Sequence, residues 1–138
     1  MNKFMLFASL MFATSASYAA IQGKEVSYSA NGTNLKGYIA YDDAIKGKSP
    51  GILVVHEWWG HNEYARKRAR MLAERGYTAL AVDMYGDGKQ AHPPDDAGKF
   101  ASVVAKDTKL ARARFDSAYS LISKEKTVDS NRIAAICY

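Results

Sequence analysis

The apolar positions of the chain switch between a strand period and a helix period. Val26, Tyr28, Leu35, Tyr38 and Ile39 flank Asn31-Gly32. That pair suits a tight turn with positive φ, so residues 24–41 read as a β-hairpin. Asp42 to Pro50 is a polar connector. Gly51-Ile52-Leu53-Val54-Val55 is an unbroken apolar run, as expected of a strand buried on both faces. Asn62 predicts a helix cap, after which Ala65, Ala69, Leu72 and Ala73 repeat at helical spacing until Gly76. Tyr77 to Val82 reads as a second buried strand, closed by Asp83, and a Gly- and Pro-containing loop runs from Tyr85 to Asp96. A short helix is expected over 97–105. A longer one, capped by Asp107, carries a core stripe of Leu110, Ala111, Phe115, Ala118, Leu121 and Ile122. Asp129-Ser130-Asn131 reads as a turn, and Arg132 to Ile136 as the start of a third buried strand.

Strand, helix, strand, helix, strand implies right-handed crossovers and a mostly parallel sheet. The expected class is α/β, a three-layer α/β/α sandwich. There are no internal repeats or low-complexity tracts.

The first residues follow another logic. Lys3 precedes an uncharged run from Phe4 to Ala16, and Ser17-Tyr18-Ala19 places small residues around a cleavage position. That order is a secretory signal peptide over residues 1–19, with residues 20–138 as a single partial domain. The run is shorter than the roughly 20 apolar residues that span a bilayer. Export to the periplasm or the outside, without a stable membrane anchor after cleavage, is the expectation.

The formal charge is +5, and its densest patch is Arg66-Lys67-Arg68 with Arg70. On a helix interleaved with Ala and Leu this reads as a solvated face, and no nucleic-acid partner is expected. Cys137 is the only cysteine, so no intramolecular disulfide can form and stability rests on the apolar core.

In open α/β sheets the reacting groups gather at the carboxyl ends of the strands. Those ends here are His56-Glu57-Trp58-Trp59-Gly60, Asp83 to Gly88, and Cys137-Tyr138. His56 and His61 have no third partner at metal-ligand spacing, and His92 stands alone beside two prolines, so neither metal nor cofactor is expected. Glu57, at the mouth of a buried strand, could hold a thiol neutral or accept its proton; it could equally pair with an arginine or cap the following helix. Trp58 and Trp59 either line an apolar substrate pocket or cover the sheet end.

The segment Val54 to Asn62 resembles the dienelactone hydrolase family. The similarity continues through Ala73-Glu74-Arg75-Gly76-Tyr77, through Val82 to Gly86, and through Val128 to Ile136. It covers roughly residues 22–138, and the stretch around Glu57 is its most discriminating part. The resemblance implies an α/β-hydrolase fold and hydrolysis of a carboxylic ester or lactone through an acyl-enzyme. The family's nucleophile, Cys or Ser, stands between two glycines on a sharp strand-to-helix turn. Aligned on Ile136, the first of those glycines falls on Cys137, and Tyr138 falls just before the nucleophile. Cys137 is therefore two positions too early to be the reactive thiol. The chain is expected to be truncated before the nucleophile and inactive as it stands.

By the same resemblance Glu57 contacts the nucleophile, the Trp58 backbone N–H is an oxyanion-hole donor, and Tyr85 lies near the substrate carboxylate. Dienelactone hydrolases proper carry an arginine where this chain has Gly86-Asp87-Gly88-Lys89, so dienelactone itself does not carry over as substrate. The family's strand order leaves Ile133 to Ile136 as an open apolar edge, with aggregation as the expected consequence. Two alternatives stand beside the hydrolase: a non-catalytic α/β module binding a small ligand, and an unstable fragment without activity.

Overall fold

The computed structural model describes residues 20–138; the export signal read from residues 1–19 lies outside them. The hairpin is β1 (Ile21–Ala30) and β2 (Thr33–Asp42), antiparallel from Ile21↔Asp42 to Ala30↔Thr33. Asn31 (φ 48°) and Gly32 (φ 79°) form its turn in the left-handed region, which those two residue types tolerate best. Then come β3 (Ser49–Val55), α1 (Glu63–Ala73), β4 (Thr78–Ala81), α2 (Pro94–Lys106), α3 (Thr108–Ser123) and β5 (Val128–Cys137).

The five strands form one sheet in the order β1-β2-β4-β3-β5. β3 pairs in parallel with β4 and with β5, whereas β2 pairs antiparallel with both its neighbours. The sheet is therefore mixed, with the parallel character confined to the three strands joined by helices. Asn62 and Asp107 cap α1 and α3 through Ala65 N–H and Leu110 N–H. α2 starts at Pro94, earlier than the sequence pattern placed it. Proline at the first helical positions loses nothing there, because those N–H groups have no helical acceptor.

The two faces of the sheet are packed differently. Against α3 lie large aliphatic side chains: Ile39, Leu53, Leu80 and Val82, meeting Ala118 and Ile122. Against α1 nearly everything is small. Ala65, Ala69 and Ala73 of the helix meet Ala40, Ala79 and Ala81 of the sheet, with Val54 between them. Arg66 and Arg70 fold over the Tyr38 ring and pair with Glu25 and Glu63, and Arg68 stacks on Tyr138. The basic patch is thus partly a packing device, its stems covering tyrosines while the heads reach water.

β5 departs from the buried strand that its apolar run predicts and is instead the open edge that the family's strand order implies. It starts at Val128, and the Asp129-Ser130-Asn131 turn is an irregularity inside it: Pro50 faces Asp129, and the next residue, Gly51, faces Ile133. Val128 is buried but Ala134, Ala135 and Ile136 are exposed. The strand is the sheet's edge, so its apolar residues gain cover from β3 on one side only.

The alanine face of α1 fixes how closely the helix approaches the sheet. Ala69→Leu inserts three carbons where no space exists and is expected to destabilise the fold by about 1–3 kcal/mol. Lys67→Leu on the outer face is expected to change stability little. Urea midpoints of the two variants at constant slope decide the matter.

Candidate active site

The connections define where a site can form. From β3 the chain crosses by α1 to β4 on one side, then returns by α2 and α3 to β5 on the other side of β3. The helices leave on opposite faces, and a crevice opens at the carboxyl end of β3, as the topology of open α/β sheets requires. Val55 is in register with Cys137, and Tyr138 N–H reaches Val55 C=O at 3.4 Å. The segment after β3 and the end of β5 therefore share one mouth.

That mouth is a cavity of about 320 Å³, more apolar than polar in lining. His56, Glu57 and Trp58 form one wall, Met84 and Tyr85 the next, and Tyr138 the end nearest β5. Ala101, Val104 and Ala105 of α2 close it from above. The structure thus brings Glu57, Trp58 and Tyr85 together. It does not bring Trp59 to the cavity: its ring lies 5.1 Å from that of Trp58, and its carbonyl accepts from Ala91 N–H. Cys137 is exposed at the end of β5 and does not line the cavity. Glu57 is exposed and makes no ion pair among the described residues, and the cap of α1 is Asn62, not Glu57.

Four interactions hold this wall; of their residues the sequence reading gave a site role only to Tyr85, and none to Asp83, His56 or Arg114. The first is Asp83, fully buried at the end of β4. One carboxylate oxygen accepts from Tyr85 N–H and Gly86 N–H at 2.9 and 2.8 Å; the other accepts from Lys36 N–H and Gly88 N–H at 3.0 and 2.7 Å. Four amide dipoles replace the water a buried carboxylate would lose. Gly86 (φ 91°) and Gly88 (φ 69°) supply the positive φ that curls the loop around the carboxylate.

The second is Tyr85, whose hydroxyl donates to Trp58 C=O at 2.9 Å while its ring meets His56 edge-on at 4.7 Å. Burial pushes its phenol pKa up, keeping the O–H proton available for that bond.

The third is His56. Its Nε2 accepts from Met84 N–H at 3.1 Å, and its Nδ1 stands 2.6 Å from Glu57 C=O. Burial is the main cause that lowers its pKa.

The fourth is Arg114, inside the apolar stripe of α3. It is buried and donates through Nη1 to Met84 C=O at 2.6 Å, tying the helix to the loop after β4. An arginine among alanines and a phenylalanine on a core face was the available signal.

His61 has a different position. It is wholly buried, and neither ring nitrogen has a hydrogen-bond partner among the described residues. Burial first, and the Arg66 cation second, push its pKa down to about 4. The unfolded chain, with an ordinary value near 6.5, takes up a proton before the folded chain does. Stability is therefore complete above about pH 6.5 and falls as pH drops toward 4, by roughly 3 kcal/mol from this ring. His61→Leu is expected to flatten that part of a stability–pH profile measured by denaturant unfolding. An unchanged slope in the variant would assign the acid sensitivity elsewhere.

Residues 35–138 match the dienelactone hydrolase family. A protein of Aquifex aeolicus (strain VF5), provisionally named carboxymethylenebutenolidase, is 40% identical over 85 residues, which are 59% of this chain and 35% of that protein. Among solved structures, one called m3DLH superposes with a TM-score of 0.83 at 34% identity, over 86% of this chain and 50% of the other. A dienelactone hydrolase-like promiscuous phosphotriesterase, P91, from metagenomic libraries superposes at 0.81 with 31% identity, over 86% of this chain and 49% of its own. The chain spans about a third of the length of the curated relatives it matches. The parallel β4-β3-β5 core, the crevice at the end of β3 and the match over residues 35–138 agree, and the chain belongs to the dienelactone hydrolase family with an α/β-hydrolase fold.

Proposed function

We propose that the chain is the part of a carboxylic-ester or lactone hydrolase that carries the oxyanion side of the site, with the nucleophile outside residues 20–138. One observation carries this reading: the ends of β3 and β5 are adjacent and in register, with Glu57, Trp58 and Tyr85 around a single apolar cavity beside them. In this reading the Trp58 N–H receives the developing oxyanion, Glu57 meets the nucleophile's proton, and Trp58 with Tyr138 covers the acyl group. Trp59, turned away from the cavity, supports its neighbour and does not touch substrate. The chemistry is nucleophilic attack on the carbonyl, release of the alcohol, and hydrolysis of the acyl-enzyme by water. No metal or cofactor enters it. The order of residues 1–19 supports export.

An apolar cavity lined by Trp58, Tyr85 and Tyr138, with Cys137 outside it, also favours a second reading, a small-ligand module. Purified 138-residue chain offered simple aryl esters is expected to bind them, quenching Trp58 fluorescence, with no turnover above solvent hydrolysis. A polypeptide continued through the downstream reading frame is expected to show a burst of alcohol followed by steady turnover. Turnover by the 138-residue chain that survives Cys137→Ala would overturn the placement of the nucleophile. Ester binding without turnover in the continued polypeptide would favour the module.

The exposed edge of β5 bears on partners. Its open N–H and C=O groups beside Ala134, Ala135 and Ile136 form a template for strand pairing. Concentration-dependent association is the expected behaviour, and Ala135→Lys is expected to suppress it by placing a charge on the edge. Light scattering that stays monodisperse for the unmodified chain at high concentration would remove this reading.

A further inference from the structure

The His56 ring sits between two backbone groups whose roles admit no choice. Met84 N–H can only donate, so Nε2 must be the unprotonated, accepting nitrogen. Glu57 C=O can only accept, so Nδ1 must carry the proton. The ring is thereby a neutral imidazole in its Nδ1–H form. A proton on Nε2 would set two donors against each other. Burial of the ring lowers its pKa and favours the same neutral state.

The carbonyl that His56 holds belongs to the peptide joining Glu57 to Trp58. Gly60 N–H donates to the same oxygen at 3.1 Å, so it has two donors. The peptide is trans, as are all those among the described residues, and its resonance keeps it planar. Fixing its C=O fixes its N–H, which is the amide of Trp58, pointing the opposite way. That N–H has no partner among the described residues. On the other side of Trp58, its own carbonyl is held by the Tyr85 hydroxyl. An amide donor free of protein partners, with both flanking carbonyls clamped, is the arrangement electrostatic catalysis needs: a dipole that does not reorganise as charge develops.

We infer that His56 is the positioning residue of the oxyanion side of the site, a neutral Nδ1–H imidazole that aims the Trp58 amide by holding the carbonyl of the same peptide. The inference rests on the hydrolase reading for its purpose, but its geometry can be tested without catalysis. The ring also links the ends of β3 and β4, since Met84 follows β4 and is held from α3 by Arg114. Its role is separate from proton transfer, because both nitrogens are occupied by backbone.

The test is nitrogen-resolved NMR of the 138-residue chain with labelled histidine. At neutral pH His56 is expected to show a protonated Nδ1 and an unprotonated Nε2, with through-bond correlations to Glu57 C=O and Met84 N–H. An Nε2–H form or an imidazolium there would overturn the inference without any variant. His56→Gln offers an acceptor and a donor on one side chain; His56→Phe fills the space and offers neither. Phe is expected to speed exchange of the Met84 and Gly60 amides about fivefold to tenfold and to shift the Trp58 amide resonance, while α1 amides stay protected. Gln is expected to restore both. A His56→Phe chain with unchanged Met84 exchange and an unmoved Trp58 resonance would overturn the inference, as would failure of Gln to restore them in a folded chain. If these readouts hold while the continued polypeptide hydrolyses no ester, the clamp stands and only the hydrolase reading falls.

Discussion

The candidate site depends on a buried carboxylate being solvated by backbone. Asp83 is fully buried, and four amides from two segments converge on its oxygens. Two are drawn from the loop immediately after it, one from Gly88 farther on, and one from Lys36 on the neighbouring strand β2. Desolvating a carboxylate is prohibitive without such donors, so the loop after β4 has one conformation in which the fold closes. In that conformation Met84 presents its N–H to His56 and Tyr85 swings its hydroxyl to Trp58. The wall of the cavity is thus a consequence of how one negative charge is accommodated a few residues away.

The sheet's asymmetry complements this. The aliphatic face against α3 supplies most of the apolar burial, while the alanine face lets α1 lie close enough for its arginines to wrap Tyr38 and Tyr138. Close approach on one side and bulk on the other leave β3 central, flanked in parallel by β4 and β5. The crevice then falls at its carboxyl end, where the helices part. The same central position half-buries His56 between the ends of β3 and β4, within reach of the Glu57 carbonyl and the Met84 amide.

Much of this was legible in the sequence where the signal is local. Asn31-Gly32, Asn62 and Asp107 act on backbone groups within three residues of themselves, so their types announced a turn and two caps. The apolar runs of β3 and β4 announced strands covered on both sides. Exposure of β5 was not legible in its own residues, because Ile133 to Ile136 reads as apolar whether or not a neighbour covers it; only the family resemblance, through its strand order, implied the open edge. The sheet's mixed direction was hidden too, since a hairpin says nothing about which strand it will join. For the site, the segment after β3 drew notice through its unusual Glu-Trp-Trp. His56, Asp83 and Arg114 escaped because each acts through a partner many residues away: Met84 is 28 positions from His56, and Lys36 is 47 from Asp83. Asp83 followed closely by Gly86 and Gly88, and Arg114 on the core face of α3, were the traces of that network in the sequence.

The contact between Gly60 and Lys89 has a consequence for how the cavity can adapt. A Cβ at Gly60 would stand 2.3 Å from the Lys89 carbonyl, Gly60 bridges Gln90, and Trp59 C=O holds Ala91 N–H. The loops after β3 and β4 are stitched into one rigid body, so neither yields alone to a bulkier guest. α2 is held more lightly: Ala97 is its one buried residue, Phe100 meets the Tyr85 ring at 5.6 Å, and Val103 lies largely in water. In the proposed reading the girth of a guest is therefore met by Ala101, Val104 and Ala105, three small or branched side chains on the α2 roof, where substitution would reshape the cavity without disturbing the tryptophan wall.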